Sequence, residues 1–268
     1  MSLTLLYPLV SVLYLLVGWR FLRRSRHPVK SEPVWGKLAL LPVLVLHAAI
    51  LSDSVANPAG LNLSLGNALS AIAWLVVLIY WLGGFFYRLE ILLVPLAWLA
   101  AVAVLAPLSL PATHVLANTQ LPAFRIHLLI AMLAYSLLTI GALQAALMSV
   151  VEKRLHNVTQ SSMAANLPPL LTLESLLFRI IGVGFVLLTL TVVSGILFSE
   201  ELFQEPMQLS HKTVFAVLSW LVYAALLSGR YLWGWRGRTA VRWSLVGFVM
   251  LVLAYIGSKF VLEVILQR

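Results

Sequence analysis

Three residues stand out by type and position as able to do chemistry: His47, Arg125 and His127. Both histidines fall inside or at the mouth of long apolar runs. Burying an ionisable group in such a run costs free energy, which makes it a functional candidate by default. Neutral imidazole is a good ligand for iron, copper or zinc. Two imidazoles from different helices could ligate a haem from opposite faces, with the Arg125 guanidinium at hand for a propionate. The competing reading makes each histidine a neutral, hydrogen-bonded residue near a membrane surface.

The elements that must position these residues are apolar segments. Hydrophobic residues make up 62% of the 268-residue chain and charged residues 10%, whereas a soluble domain sits near half apolar and a quarter charged. The excess has to be hidden in lipid, and a crossing needs ~20 mostly apolar residues. Eight spans are read, at about 3–19, 37–52, 68–86, 89–107, 122–151, 177–198, 212–229 and 243–263. The first has its basic cluster after it rather than before it, so it is kept as a span and not a signal peptide. The chain has no cysteine, which excludes disulfides, thiolate metal sites and cysteine nucleophiles. It has no HExxH, P-loop or GxSxG motif. The net charge of +9 is read as loop bias rather than a nucleic-acid footprint.

Of the 18 basic residues, all but Arg125, Lys212, Lys259 and Arg268 fall in or beside alternate loops, around 20–37, at 88, at 153–179 and at 230–242. The positive-inside rule makes those loops cytoplasmic, so both termini lie outside. His27 and His156 then belong to basic cytoplasmic loops, and His47, His114, His127 and His211 gather towards the exterior face. The exterior loops are too short for a separate soluble domain. The expected fold is thus an all-α polytopic membrane protein of about eight transmembrane helices, organised as a single transmembrane domain over 1–268.

The central element is the stretch from Pro122 to Arg154, read as one long helix with Arg125 and His127 in its first turns. Below His127 one face carries Ala131, Ala134, Gly141, Ala142 and Ala145, small residues that let a neighbouring helix approach closely. Gly182, Gly184 and Ser194-Gly195 are the corresponding points in span 6. Trp19, Trp35, Trp81, Trp233, Trp235 and Trp243 read as an aromatic belt at the membrane edges. Lys259 and Glu263, four apart on one helix, read as a local ion pair.

Several stretches resemble the cytochrome c assembly membrane family of the CcsA/ResC type. RIHLLIAMLAYSLLTIGALQAAL resembles its histidine-bearing helix, in which an H-x-x-x-x-x-L-x-Y segment carries an exterior haem-ligand histidine; that histidine maps onto His127. LNLSLGNALSAIAW resembles the segment after the second span, HKTVFAVLSWLVYAALLSGRYLWGWRGR a later helix and its basic turn, and RWSLVGFVMLVLAYIGSKFV the closing span. The likeness is greatest to the shorter YpjD-like inner-membrane branch, through NLPPLLTLESLLFRI, VLLTLTVVSGILF and GWRGR. It covers most of the chain from His47 onward.

The chain departs from the synthases of that family in three places. The loop from Ser199 to His211 is short and has no tryptophan, where the synthases carry a tryptophan-rich haem-presenting segment. Their transmembrane histidine falls at about Ser228, and their second exterior ligand near Leu266 or Gln267. The resemblance therefore implies a haem-binding or haem-handling protein of a bacterial inner membrane, without full synthase activity and not an enzyme. Haem b would be held on the exterior side by His127, with His47 replacing the missing partner and Arg125 offsetting propionate charge. The expected partners are the lipid bilayer, haem and cytochrome c assembly components, with no nucleic acid. The alternatives are a haem-free structural or regulatory membrane protein, whose interaction surface would be the basic cytoplasmic face, and a transporter of small solutes or haem.

Overall fold

An apolar segment in lipid has no water for its peptide groups, so it must satisfy them within itself and becomes a helix. The structure, a computed structural model, describes residues 3–25, 34–57, 60–86, 92–110, 115–116, 121–156, 170–203 and 211–265. Its helices are α1 (Leu6–Ser25), α2 (Val34–Leu38), α3 (Leu41–Val55), α4 (Leu65–Gly83), α5 (Leu93–Ala103), α6 (Ala106–Ser109), α7 (Pro122–His156), α8 (Leu170–Phe203), α9 (His211–Trp233) and α10 (Gly237–Val252), the last continued by π-helical turns at Leu253–Gly257 and Phe260–Ile265. Among the described residues, seven helices are long and apolar enough to cross a membrane. The expected fourth span is shorter, an apolar stretch over Leu93–Ser109.

Several helix boundaries differ from the sequence expectation by a few residues. The sixth span begins at Leu170 rather than near 177, because Glu174 lies inside the helix with its charge met by arginines. The last begins at Gly237, so Arg238 and Arg242 sit in its first turns. Two connecting segments read as plain loops form a small antiparallel sheet instead. Its strands are β1 (Ala56–Asn57), β2 (Gly60–Asn62) and β3 (Val115–Leu116), in the order β1-β2-β3 with Ala56 opposite Leu61 and Leu61 opposite Leu116. Gly60, at φ 149°, adopts a conformation that side chains disfavour.

The chain divides into two compact units, 1–117 with 154–168, and 118–153 with 169–268. In the first, α1 packs on α5, α5 on α4, and α4 on α3. Its core includes Val10, Tyr14, Leu44, Ile50, Val77 and Ala97. Two glycines permit the approaches. A Cβ on Gly18 would lie 2.5 Å from Trp98 Nε1, and one on Gly66 would lie 2.9 Å from the Ala106 backbone. Polar side chains join the helices through backbone: Ser11 donates to the Ala101 carbonyl at 2.7 Å, and Trp74 to the Leu44 carbonyl at 2.9 Å.

In the second unit α9 pairs with α10 and α8 with α9. The small face of α7 is interior as expected: Ala134, Ala142 and Ala145 are buried, and a Cβ on Gly141 would lie 3.3 Å from Ile181 of α8. Gly184 packs against Leu138, whereas Gly182 faces open space. Ser219 of α9 donates to the Gly247 carbonyl of α10 at 2.9 Å, and Tyr135 of α7 donates to the Leu251 carbonyl at 2.7 Å.

Candidate functional site

The two histidines belong to different units, and each has its own surroundings. His47, on α3, is completely buried. Its Nδ1 lies 3.0 Å from the Tyr14 hydroxyl on α1, and its Nε2 lies 2.9 Å from Ser70 Oγ on α4. Tyr14 also meets the ring edge-on, with centroids 5.6 Å apart. A neutral imidazole donates through one nitrogen and accepts at the other, so one of the two hydroxyls donates to the ring and the other accepts from it. Both nitrogens of His47 are thus engaged by hydroxyls, in a chain tying three helices together. Iron ligation by His47 would require one of those hydroxyls to be displaced.

His127 is different. It lies in the first turns of α7, half-buried, with Phe124 stacked near it at 6.2 Å between centroids. Its Nδ1 is 2.7 Å from Ser194 Oγ on α8. Ser194 in turn donates to the Leu190 carbonyl at 2.6 Å. A serine has one proton, so a hydroxyl already donating to Leu190 can only accept from the ring. Nδ1 therefore carries the hydrogen, and Nε2 of the neutral imidazole carries the lone pair. Metal-binding histidines are commonly held this way, with the non-ligating nitrogen donating to a neighbouring oxygen that fixes ring and tautomer. Gly195 lets α8 come close: its Cβ position is 3.6 Å from His127 Cε1.

Cations gather at the same end of the second unit. Arg125 is exposed, two residues before His127 on α7. Lys212, at the start of α9, lies within electrostatic reach of His127 and of Lys259. The Lys212 and Lys259 ammonium groups stand 5.7 and 5.5 Å from the centre of the Tyr255 ring, which packs on Tyr135 at 5.6 Å. The donor set of one imidazole nitrogen and nearby cations suits a metal macrocycle bearing carboxylates.

Sequence reasoning named Arg125 and His127 but missed Ser194 as a hydrogen-bond partner, reading it as a packing point. It also missed Lys212 and Lys259. Their convergence follows from antiparallel helices: α7 and α9 start where α10 ends. His27 and His114 lie outside the described residues, as does the 204–210 part of the tryptophan-free loop. Among the described residues, no cluster of three or more His, Asp or Glu side chains is arranged to hold a bare metal ion.

At its other end the second unit is built on Glu174, whose side chain is only 6% exposed. Its Oε1 accepts from Arg230 Nη1 and Arg236 Nε, each at 2.9 Å, and its Oε2 accepts from the Gly237 backbone N–H at 3.3 Å. The guanidinium of Arg230 also lies 4.7 Å from the Phe178 ring centre. One carboxylate of α8 thereby fixes the whole turn between α9 and α10.

The profile of a family described as Cytochrome C assembly protein matches residues 35–266. The Inner membrane protein YpjD of Escherichia coli K12 is 31% identical over 237 residues, covering 86% of this chain and 89% of that one. The Cytochrome c biogenesis protein CcsA of Guillardia theta is 31% identical over 173 residues, covering 57% and 58% respectively. The CcsA of Crocosphaera subtropica is 34% identical over a shorter 112 residues, a third of that protein's length. No solved structure matches the chain.

Proposed function

The chain belongs to the cytochrome c assembly protein family, and from that premise we propose that it is a multi-pass inner-membrane protein that holds haem at the His127 end of its second unit. The family gives it a haem-related role in cytochrome c biogenesis. The single observation that supports the finer reading is the hydrogen bond between His127 Nδ1 and Ser194 Oγ, the kind of contact that holds a ring whose other nitrogen takes a metal. His127 would hold the haem through its ring, and the haem would supply an iron that accepts an imidazole nitrogen. Ser194 holds the ring through Nδ1, and Arg125, with Lys212 and Lys259 nearby, offsets carboxylate charge. The reading is one of holding or relaying haem rather than transforming it, and it makes haem b the expected form.

His47 as a further ligand is a separate part of the proposal. It carries a defined requirement, the opening of its bond to Tyr14 or Ser70. The test is the reduced-minus-oxidised difference spectrum of protein purified from haem-replete cells. A Soret band with reduced α and β bands is expected, lost in His127→Ala and retained in Ser149→Ala, a variant at the far end of α7. Colourless wild-type protein, or an unchanged spectrum in His127→Ala, overturns the reading. Colourless protein would favour the second reading, a haem-free structural or regulatory member. Two observations support that alternative: the fully engaged His47, and Ser228 where the synthases have a histidine.

A further inference from the structure

The turn joining α9 to α10 carries more positive charge than its own folding needs. Glu174 already takes Arg230, the Gly237 N–H and the Nε of Arg236. Glu152, near the end of α7, takes the Nε of Arg238 at 2.8 Å. A guanidinium has five N–H donors in a planar fork. Arg236 and Arg238 each use Nε on a carboxylate, and among the described residues their terminal nitrogens have no partner. The two side chains are 59% and 66% exposed. Arg242 adds a further charge one turn on. Anchoring through Nε holds each fork in a set orientation, so less conformational entropy is lost when its terminal nitrogens take up an anion.

The surroundings say which anion. The last turn of membrane-spanning α9 presents Tyr231, Leu232 and Trp233, exposed by 89%, 64% and 69%. Trp233 stacks on Trp235 at 6.0 Å between centroids, and Trp235 meets Trp243 in a tilted contact at 5.2 Å. Exposed aromatic and apolar side chains directly beside arginines belong at the level of lipid headgroups. The loop charges put this end at the cytoplasmic face, where anionic lipids attract basic groups. Gly234 and Gly237, at φ 65° and 52°, let the turn fold back sharply enough to keep the arginines beside the aromatic surface.

The geometry points to a binding site for anionic phospholipid on the Tyr231–Arg242 turn. The headgroup phosphate is taken by the terminal guanidinium nitrogens of Arg236 and Arg238, and the acyl chains lie along Tyr231, Leu232 and Trp233. The occupant is lipid rather than an acidic protein, because the charge is continuous with a side-chain surface that belongs in the bilayer interface.

The test is native mass spectrometry of the full-length protein in detergent, titrated with phosphatidylglycerol and with phosphatidylcholine of the same acyl chains. A preference of about tenfold or more for phosphatidylglycerol is expected for two interfacial arginines. In Arg236→Gln/Arg238→Gln the preference falls to about onefold. Should that double variant not fold, Arg238→Gln alone, which leaves the Glu174 cluster intact, is expected to lower the preference severalfold. Equal binding of the two lipids by the wild type overturns the proposal, as does an unchanged preference in a folded variant. Displacement of phosphatidylglycerol by millimolar inorganic phosphate would identify a site for free phosphate and equally overturn it.

Discussion

His127 Nδ1 lies 2.7 Å from Ser194 Oγ, a hydroxyl whose own proton is committed to the Leu190 carbonyl. This relationship selects one tautomer of the imidazole without any ligand being present. It also ties the first turns of α7 to α8 at the end where Lys212 and Lys259 converge on Tyr255.

Removing that acceptor should loosen the ring and free its tautomer. Ser194→Ala is expected to weaken haem binding by about 10–100-fold, the usual effect of losing the group behind a metal-binding histidine. Ser194→Thr, which keeps an acceptor oxygen, is expected to bind more tightly than Ser194→Ala. Titration of haem into apoprotein, followed at the Soret band, measures both. Identical affinities for wild type and Ser194→Ala would show that the hydroxyl does not position a ligand.

His47 should behave as part of the framework. His47→Ala removes two hydrogen-bond partners at once and strands the Tyr14 hydroxyl in a buried place. A loss of about 2–4 kcal/mol is expected from the cavity and the unmet polar group. Tyr14→Phe, which removes one hydroxyl and little volume, should cost about 1 kcal/mol. Reversible unfolding in mixed micelles measures these. A His47→Ala protein as stable as wild type, yet colourless where wild type is coloured, would move His47 from framework to ligand.

Glu174 is the counter-charge for two arginines and the cap of the α9–α10 turn. Glu174→Ala leaves Arg230 without its carboxylate and is expected to destabilise the second unit by about 2–4 kcal/mol, somewhat less than a fully buried pair because Arg236 can turn to water. Glu152→Ala, across from an exposed Arg238, should change stability by less than ~1 kcal/mol. Proteolysis of the 234–236 turn gives an independent readout: faster cleavage is expected in Glu174→Ala and not in Glu152→Ala.

Two helical glycines should respond in opposite ways. A Cβ on Gly66 would press on the Ala106 and Pro107 backbone at 2.9 Å, which cannot swing aside. Gly66→Ala is therefore expected to cost about 1–3 kcal/mol. Gly182 has nothing within 4 Å of its Cβ position, so Gly182→Ala should be neutral or gain up to ~1 kcal/mol from helix propensity. Thermal unfolding of the two variants side by side is decisive. Equal losses would mean that close helix approach at Gly66 is not what its lack of a side chain provides.

The lipid-embedded character, the order of the helices and the buried small face of α7 were legible in the residues themselves. Apolar length and helical spacing are local properties, and lipid forces such a segment to form its own backbone bonds. His127 and Arg125 could likewise be picked out, because an ionisable group at the mouth of an apolar run is conspicuous wherever it lies. What the two histidines do with their ring nitrogens was not legible. The partners of His47 are 33 and 23 residues away, and that of His127 is 67 away. Helix packing alone decides which hydroxyl meets which nitrogen. Glu174 makes the same point: its placement inside a helix is tolerable because arginines 56 and 62 residues later fold back onto it. Sequence thus determined where charge and apolar surface had to go, since each residue's preference for water or lipid is its own. Tertiary structure decided which histidine is sealed between two hydroxyls and which meets a single serine at the mouth of a helix, since hydrogen bonds form between atoms that only folding brings together.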